Sequence, residues 1–295
     1  MKDISTPLRY PGGKHKIWHH IAELISLNAS SECEYIEPYA GGAGIAFELL
    51  RRKIVSRIHI NDINPTLFAF WQSVLNETSE ICELITNIPM TVKEWEKQKL
   101  ILKHADSSTL EKGFALLYLN RTNFSGIISA GIIGGKEQKG TYKMDARFPK
   151  KRIISLIEEI ASEKEKISLT NMDAIQFIGE VVPAINNRFL YCDPPYYVKG
   201  RQLYLDSYKP DDHAAIANLL TIINPEPWIV SYDNAPEIKA LYENFRQLSF
   251  DLQYSARTKQ KGKELLILSP NLKVPANFMS QQTEEIPDCS HTVSC

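Results

Sequence analysis

The stretch Arg188-Phe189-Leu190-Tyr191-Cys192-Asp193-Pro194-Pro195-Tyr196-Tyr197 decides the fold class, because an apolar run stops at an acid, two prolines and two aromatic residues. An apolar run without alternation predicts a strand buried on both faces, which is typical of parallel sheets. The prolines end that strand, since they fix the backbone and lack N–H donors. Ligands of open α/β sheets lie just beyond the carboxyl ends of the strands, so the sequence predicts a binding site at Asp193.

The chemistry of this corner suits a planar amine. Asp193 and the carbonyl of Pro194 supply two acceptors, and the prolines supply no competing backbone N–H. The ring of Tyr196 can stack on a ring that carries the amine, as in a nucleobase. Asp-Pro-Pro is also ordinary turn chemistry at the end of a strand, so this motif alone leaves both interpretations open.

Upstream, a strand, a glycine-rich turn and a helix follow one another as in half of a nucleotide-binding α/β unit. The strand at 35–37 leads through Pro38-Tyr39-Ala40-Gly41-Gly42-Ala43-Gly44 into a helical pattern. Small residues admit a ligand to the start of the helix, so we predict ligand contacts from Glu37, Gly41 and Gly44. The turn matches neither G-x-G-x-x-G nor G-K-[ST], which disfavours a typical dinucleotide site and a P-loop.

Acidic residues also follow the next two predicted strands. The strand at 57–60 ends at Asp62, where such folds hydrogen-bond ribose hydroxyls. The strand at 167–170 ends near Asp173, which we predict to be a further ligand contact. Asn64 precedes a proline and predicts a helix cap.

The segment Arg9-Tyr10-Pro11-Gly12-Gly13-Lys14 sets an aromatic residue and a cation on either side of two glycines. Glycines let the backbone pass close to a ligand, and Tyr10 and Lys14 flank that approach. A plain turn into a helix explains the glycines nearly as well. It does not explain the aromatic residue and the cation beside them.

Between 76 and 150 the alternation of strand and helix breaks. Helical patterns at 81–88, 92–102 and 110–119 follow one another, and a stretch rich in glycine and small residues comes next. From Thr91 to Arg152 there are thirteen Lys or Arg against six Asp or Glu, although the whole chain has a net charge of −1. This local excess predicts a surface for a polyanion, with a solvated lysine-rich face as the alternative.

Within this basic region, the stretch 120–126 combines amides, hydroxyls, a guanidinium and an aromatic ring. Groups of these kinds read base edges, hold phosphates and wedge between bases. The residues that we predict to contact DNA are Asn120, Arg121, Asn123, Phe124 and Ser125, with Lys136 and Lys139 in the loop that follows.

After 150 the alternation of helix and strand resumes, and it closes with two strands joined by the basic stretch 257–263. The sequence thus predicts an α/β fold with a Rossmann-like sheet and an inserted helical domain. The predicted divisions are the sheet domain from 1–63 and 151–276, the inserted helical domain at 64–150, and a disordered polar tail at 277–295.

Composition is that of an ordinary globular protein, with 43% hydrophobic residues in 295. The amino terminus shows no signal pattern and no apolar run reaches about 18 residues, so we expect a cytoplasmic protein with no membrane partner. The five cysteines form no C-x-x-C pair and no ligand cluster with histidines, so we expect no metal. Cys192 lies inside an apolar strand, which favours core packing over nucleophilic chemistry.

Together, these motifs and their order resemble the Dam-like D12 class of DNA adenine N6-methyltransferases, which use S-adenosylmethionine as methyl donor. The matching pieces are 9–14, 37–44 with Asp62, 120–126 and 193–196. The resemblance implies that Tyr10, Lys14, Asp62 and Asp193 lie at the cofactor. It also implies that 64–150 holds most of the DNA target-recognition domain and that Phe124 enters the duplex. The chain departs from well-known members at Tyr10, where tryptophan is common, at the paired Gly41-Gly42, and at Ser125, where asparagine is frequent. The recognised DNA sequence therefore stays open.

The reaction that this resemblance implies is methyl transfer to N6 of an adenine flipped out of a specific double-stranded DNA site. Flipping costs a few kcal/mol, and stacking on Tyr196 returns about 1–3 kcal/mol. Hydrogen bonds to Asp193 and the Pro194 carbonyl favour a pyramidal nitrogen and stabilise its developing charge. Asp193, Pro194 and Tyr196 are thus the predicted catalytic residues of a monomer, for which a cognate restriction endonuclease is a candidate partner.

Other functions remain open at this point. The amine can instead be N4 of cytosine, N6 of an RNA adenine or a glutamine amide, although the acid before Pro-Pro-Tyr and the basic insert favour DNA adenine. Outside enzymes, the chain can be a DNA-binding module with a vestigial cofactor fold. A methyl-transfer assay that compares DNA, RNA and protein substrates separates these possibilities.

Overall fold

The structure, a computed structural model, describes residues 6–9, 14–30, 32–197, 208–223, 227–256, 258–276 and 278, with the backbone alone at Lys16 and within 251–262. The strands found in these residues are β1 (Glu34–Glu37), β2 (Arg57–Asn61), β3 (Ile167–Thr170), β4 (Arg188–Cys192), β5 (Trp228–Asp233), β6 (Arg246–Ala256) and β7 (Thr258–Leu268). They form one sheet in the order β3-β2-β1-β4-β5-β7-β6. Strands β1 to β5 pair in parallel, and β7 is antiparallel to both β5 and β6. The predicted Rossmann-like α/β fold is confirmed.

The α-helices in the described residues are α1 (Trp18–Asn28), α2 (Gly44–Arg51), α3 (Pro65–Asn76), α4 (Thr78–Asn87), α5 (Val92–Lys103), α6 (Thr109–Thr122), α7 (Lys150–Ser162), α8 (Ala174–Gln176), α9 (Pro210–Ile222) and α10 (Pro236–Leu241). Asn64 caps α3 as predicted, because its side-chain oxygen accepts from the backbone N–H groups of Thr66 and Leu67. Ser108 and Glu111 form a capping box at the start of α6. None of the helices in this part of the chain is long and apolar enough to cross a membrane.

The central strands are buried along their whole length, as their unbroken apolar runs predict. Every residue of β4 and of β5 is buried. Cys192 has no exposed surface, and burial raises the pKa of its thiol far above the ordinary value. The assignment of Cys192 to core packing is thereby confirmed.

The strand order creates a switch point between β1 and β4. From β1 the chain continues on one side to β2 and β3, whereas β4 and β5 lie on its other side. Connections that leave the sheet in opposite directions open a crevice at the carboxyl ends of the two central strands. Glu37 ends β1 and Asp193 follows β4, so both carboxyl groups lie at this crevice.

Helices α3 to α6 follow one another without an intervening strand, as predicted. They do not have a core of their own, because Phe70, Trp71 and Tyr118 belong to the same apolar cluster as Tyr35 and Ile58 of the sheet. The core is thus continuous across the predicted division at residue 64, and that division stays a prediction.

Of the predicted tail, the structure describes Phe278 alone. Its ring is buried and packs edge-on against His20 of α1 at 5.3 Å between centroids. This apolar ring lies just past the predicted boundary at 276, and the disorder of the tail stays a prediction. Tyr10 and most side chains of the predicted basic tip at 257–263 lie outside the described residues.

Candidate active site

Asp193 is oriented through a single carboxylate oxygen. Ser231 Oγ donates a 2.7 Å hydrogen bond to Oδ1, and Lys14 Nζ lies 3.3 Å from the same atom. The side chain of Asp193 is 27% exposed, and Oδ2 makes no hydrogen bond within the described residues. The carboxylate is therefore fixed in direction while its second oxygen keeps its acceptor capacity.

The hydrogen bond from Ser231 is itself supported from inside the sheet. Tyr191 of β4 lies with its hydroxyl 2.9 Å from Ser231 Oγ. A serine hydroxyl has one proton, and here it goes to Asp193, so Tyr191 is the donor of the second bond. Burial raises the pKa of Tyr191 well above its ordinary value and keeps the phenol protonated. A series of hydrogen bonds thus runs from Tyr191 in the core through Ser231 to Asp193 at the edge of the sheet.

A second buried group adjoins Asp193. Lys14 forms an ion pair with Glu264 as well as with Asp193, and Tyr196 donates a 2.5 Å hydrogen bond to Glu264 Oε1. Burial disfavours the charge of Lys14, but the two carboxylates outweigh burial and raise its pKa. Burial raises the pKa of Glu264, Lys14 opposes this, and Asp193 reinforces it. One lysine therefore serves two carboxylates.

Glu37 lies at the other side of the crevice, at the end of β1. It is almost fully buried and accepts a 2.9 Å hydrogen bond from the hydroxyl of Tyr35. Burial raises the pKa of Glu37 to about 8, with the Tyr35 hydrogen bond acting against this and the charge of Asp193 adding to it. The carboxyl group is mostly protonated at neutral pH, and the crevice therefore carries less negative charge than its sequence suggests.

The glycine-rich turn is held in a tight shape by its neighbours. The Gly41 N–H donates to Asp62 Oδ2 at 2.8 Å, and Trp71 Nε1 donates to the Gly41 carbonyl at 3.0 Å. Gly41 and Ala43 have left-handed backbone angles of +48° and +46°, which turn the chain sharply before Gly44 starts α2. A cradle of small residues thus lies at a helix start, as a ligand of nucleoside type requires.

Asp62 ends the second strand as predicted and remains partly exposed. Its Oδ1 accepts from the Asn64 N–H at 2.9 Å, and its Oδ2 accepts from Gly41. An aspartate after the second strand is the acceptor that such folds offer to ribose hydroxyls. The acceptor oxygens of Asp62 and the cradle of small residues together fit the nucleoside part of S-adenosylmethionine.

Asp173 has a structural role in this arrangement. Its Oδ1 accepts hydrogen bonds from the backbone N–H groups of Ile175 and Gln176 at 2.9 and 3.2 Å, which caps α8. Its contact with a ligand stays a prediction, as does that of Tyr10.

Asn120 and Arg121 of α6 lie with their polar groups inside the protein. Asn120 Oδ1 accepts from the Arg9 N–H at 2.7 Å, and its Nδ2 donates to the carbonyls of Arg9 and Gly126 at 2.8 and 2.9 Å. Arg121 Nε donates to the carbonyl of Pro7 at 2.5 Å. Both side chains tie the segment 6–9 to α6, and their contacts with DNA stay predictions that this arrangement does not favour.

Asn123 is fully buried at the end of α6. Its Oδ1 accepts from Trp95 Nε1 at 2.7 Å, and its Nδ2 donates to the carbonyls of Ile127 and Ile128 at 3.1 and 2.9 Å. All three side-chain bonds shape the turn that follows. Local sequence does not distinguish an amide that reads a base from an amide that satisfies buried backbone groups.

Phe124 is the residue that this turn presents outward, with 46% of its surface exposed. Ser125 has a left-handed φ of +57°, and Gly126 has a φ of +78° and packs closely against the Arg9 backbone. The predicted DNA contacts Lys136 and Lys139 are also exposed, and each pairs with a glutamate, Lys136 with Glu96 at 3.0 Å. An aromatic ring held out by a fixed turn suits insertion between bases.

Sequence reasoning missed two residues of the site, Ser231 and Glu264. Ser231 sits inside the apolar strand β5 and gave no signal of its own. Glu264 begins the apolar run 265–268 and pairs with Asp233 at the end of β5. A lone acid directly before a buried apolar run in an antiparallel strand is a usable signal, because its position lies at the same edge as the carboxyl ends of the parallel strands. No cluster of His, Cys, Asp or Glu suited to a metal ion is present among the described residues.

One family profile and several known proteins match most of the chain. The profile of the D12 class of N6 adenine-specific DNA methyltransferases matches residues 10–256. The type II methyltransferase M1.LlaDCHI of Lactococcus lactis subsp. cremoris is 24% identical over 89% of this chain and 94% of its own. The type II methyltransferase M.MjaIII of Methanocaldococcus jannaschii is 23% identical over 71% and 75%. The retron Ec67 DNA adenine methylase of Escherichia coli is 25% identical over 82% of each chain.

Proposed function

The chain belongs to the D12 class of N6 adenine-specific DNA methyltransferases, and from that premise we propose that it methylates N6 of an adenine flipped out of a specific double-stranded DNA site. The observation that carries the proposal is the Asp193 carboxylate, which is fixed through Oδ1 at the switch point of the sheet and whose Oδ2 accepts no hydrogen bond from the described residues. Pro194 follows with a carbonyl oxygen and no N–H. Together they supply two acceptors for one planar amine.

S-adenosylmethionine, when bound, supplies a methyl group made electrophilic by the sulfonium charge. The Gly41 turn and Asp62 would hold its nucleoside part, with Asp62 accepting from the ribose hydroxyls. Further predicted cofactor contacts are Tyr10, Lys14, Glu37, Gly44, Asp173 and Asp193. A protonated Glu37 can donate as well as accept a hydrogen bond.

At the amine, the two acceptors act on the nitrogen that is attacked. The lone pair of N6 is delocalised into the adenine ring, so the free base is a poor nucleophile. Hydrogen bonds from its two N–H groups to Asp193 and to the Pro194 carbonyl favour a pyramidal nitrogen with a localised lone pair. These bonds strengthen as positive charge develops on nitrogen, so they favour the transition state over the ground state.

Tyr196 is the proposed stacking partner of the flipped base. Its ring is 7% exposed, and Lys14 Nζ lies 5.3 Å from the ring centroid. Stacking therefore requires the side chains that cover the ring to shift when DNA binds. Base stacking on an aromatic ring returns about 1–3 kcal/mol of the cost of flipping.

The DNA face in this proposal is the basic region 91–152 with the turn at Phe124. Phe124 enters the duplex, and Lys136 and Lys139 contact phosphates. Segment 64–150 carries most of target recognition in this proposal. The proposed enzyme acts as a monomer in the cytoplasm. Because two relatives are named type II methyltransferases, a restriction endonuclease of the same specificity is the proposed partner.

The test is methylation of DNA by the purified protein. The protein is incubated with labelled S-adenosylmethionine and, in parallel, with duplex DNA, single-stranded DNA and RNA, and the products are digested to nucleosides. We expect N6-methyladenine from duplex DNA at one sequence, and none from the Asp193→Ala variant. Label in N4-methylcytosine or in RNA alone would overturn the proposal.

A further inference from the structure

Glu264 links two parts of the active site through one buried carboxylate. It has no exposed surface. Oε1 accepts the hydrogen bond from the Tyr196 hydroxyl at 2.5 Å, and Oε2 forms the ion pair with Lys14. Lys14 in turn contacts Asp193 Oδ1. The catalytic loop is thus connected on both sides to one side chain of β7.

The register of the sheet explains how a residue 68 positions away reaches Tyr196. Glu264 pairs with Asp233 on β5 and with Phe250 on β6. Asp233 Oδ1 accepts a 2.9 Å hydrogen bond from the backbone N–H of Tyr197. The pair β5 and β7 therefore holds two successive residues after Pro195, one by its backbone and one by its hydroxyl.

We propose that Glu264 is a positioning residue for methyl transfer, which fixes the ring of Tyr196 and directs Lys14 towards Asp193. This inference rests on the proposed function, since it concerns the same site. Glu264 acts through these two side chains and is not proposed to touch either substrate. A carboxylate suits the role because each of its oxygens accepts from a different donor, whereas the single oxygen of an amide must be shared.

The inference predicts which kinetic constant changes. A loosened Tyr196 ring and Lys14 misplace the amine relative to the methyl group, so kcat falls more than the KM for DNA rises. We expect Glu264→Gln to lower kcat on the order of tenfold, as for the loss of a hydrogen bond to a charged group. Tyr196→Phe keeps the ring but removes the hydroxyl tether, so it separates tethering from stacking.

The experiment is a double-mutant cycle in kcat with Glu264→Gln, Tyr196→Phe and the double variant, measured on duplex DNA at saturating S-adenosylmethionine. Glu243→Gln is the matched control, because it removes an exposed glutamate from the same half of the chain. Thermal melting shows that each variant is folded at the assay temperature. If Glu264→Gln does not fold, Tyr196→Phe must by itself lower kcat without raising the KM for DNA in proportion.

The expected result is that Glu264→Gln costs much less in the Tyr196→Phe background than in the wild type, while Glu243→Gln matches the wild type. Independent effects of the two substitutions on kcat, or a Glu264→Gln variant with wild-type kcat, would overturn the inference. A wild-type protein that methylates no DNA instead overturns the proposed function, and this is seen before any variant is made.

Discussion

Ser231 Oγ on β5 donates a 2.7 Å hydrogen bond to Oδ1 of Asp193, which follows the neighbouring strand β4. Tyr191 supports this bond from the core, with its hydroxyl 2.9 Å from Ser231 Oγ. The direction of the Asp193 carboxylate is thus set by the interior of the sheet rather than by the loop that carries it.

Asp193→Ala is expected to abolish methyl transfer while the protein stays folded. The substitution removes an acceptor whose bond strengthens in the transition state, for which a loss of about 10²–10³ in kcat is typical. Lys14 keeps Glu264 as its partner, so no buried charge is left alone. Turnover on duplex DNA and thermal melting are measured together, and near-normal turnover would contradict the assigned role.

Ser231→Ala is expected to lower kcat on the order of tenfold, because Asp193 loses the bond that fixes its rotamer. Tyr191→Phe is the graded control. It removes only the outer hydrogen bond, so its kcat should fall less than that of Ser231→Ala. Equal kcat values for Ser231→Ala and the wild type would show that Asp193 is oriented by other means.

Glu37→Gln is expected to stabilise the protein increasingly between about pH 5 and pH 8. The folded-state pKa of Glu37 is raised to about 8, so the native protein retains a proton that the unfolded chain releases near its ordinary pKa. Stability from this group is complete at low pH and is lost as pH rises through the folded pKa. The gain should reach the order of a few kcal/mol at pH 8, measured by urea unfolding at several pH values. A gain that is largest at pH 5 would contradict the shift.

Replacing Lys136 and Lys139 together by alanine is expected to weaken DNA binding broadly and to reduce its salt dependence. Each phosphate contact that is lost reduces the slope of log K against log salt by about 0.9. Binding to a DNA duplex is measured from low to moderate salt. The control is the double variant Lys164→Ala with Lys166→Ala. It removes two exposed lysines outside the basic region 91–152, and one of them is also paired with a glutamate. An unchanged slope in the first variant would remove these lysines from the DNA face.

Asn123→Ala and Phe124→Ala are expected to affect different properties, the first the stability of the fold and the second methylation. Asn123→Ala leaves Trp95 Nε1 without its acceptor and removes one donor from each of the Ile127 and Ile128 carbonyls, so the free energy of unfolding should fall by about 2–4 kcal/mol. Phe124→Ala removes an exposed ring, so it should leave stability within about 1 kcal/mol but impair methylation.

Urea unfolding and turnover on duplex DNA are measured for both variants. A stable Asn123→Ala variant would show that its amide is not structural. A fully active Phe124→Ala variant would exclude insertion of this ring into the duplex.

Local patterns along the sequence determined the architecture and the positions of Asp62 and Asp193 at the ends of their strands. The unbroken apolar run before Asp193 predicts a buried parallel strand, and the prolines after it predict where that strand ends. In the same way, Asp62 marks the end of β2 and Asn64 marks the start of α3. Periodicity, capping and turn chemistry act within a few residues, so a single sequence displays them directly.

Only the tertiary structure decided which polar groups serve the site and which serve the fold. Lys14 and Glu264 are 250 positions apart and meet because β7 runs antiparallel beside β5. Asn120 and Asn123 have the side chains of base-reading residues, yet they satisfy buried backbone groups. A side chain's partner depends on which strand or turn lies opposite it, and that is set by packing between distant segments rather than by the residues next to it in sequence.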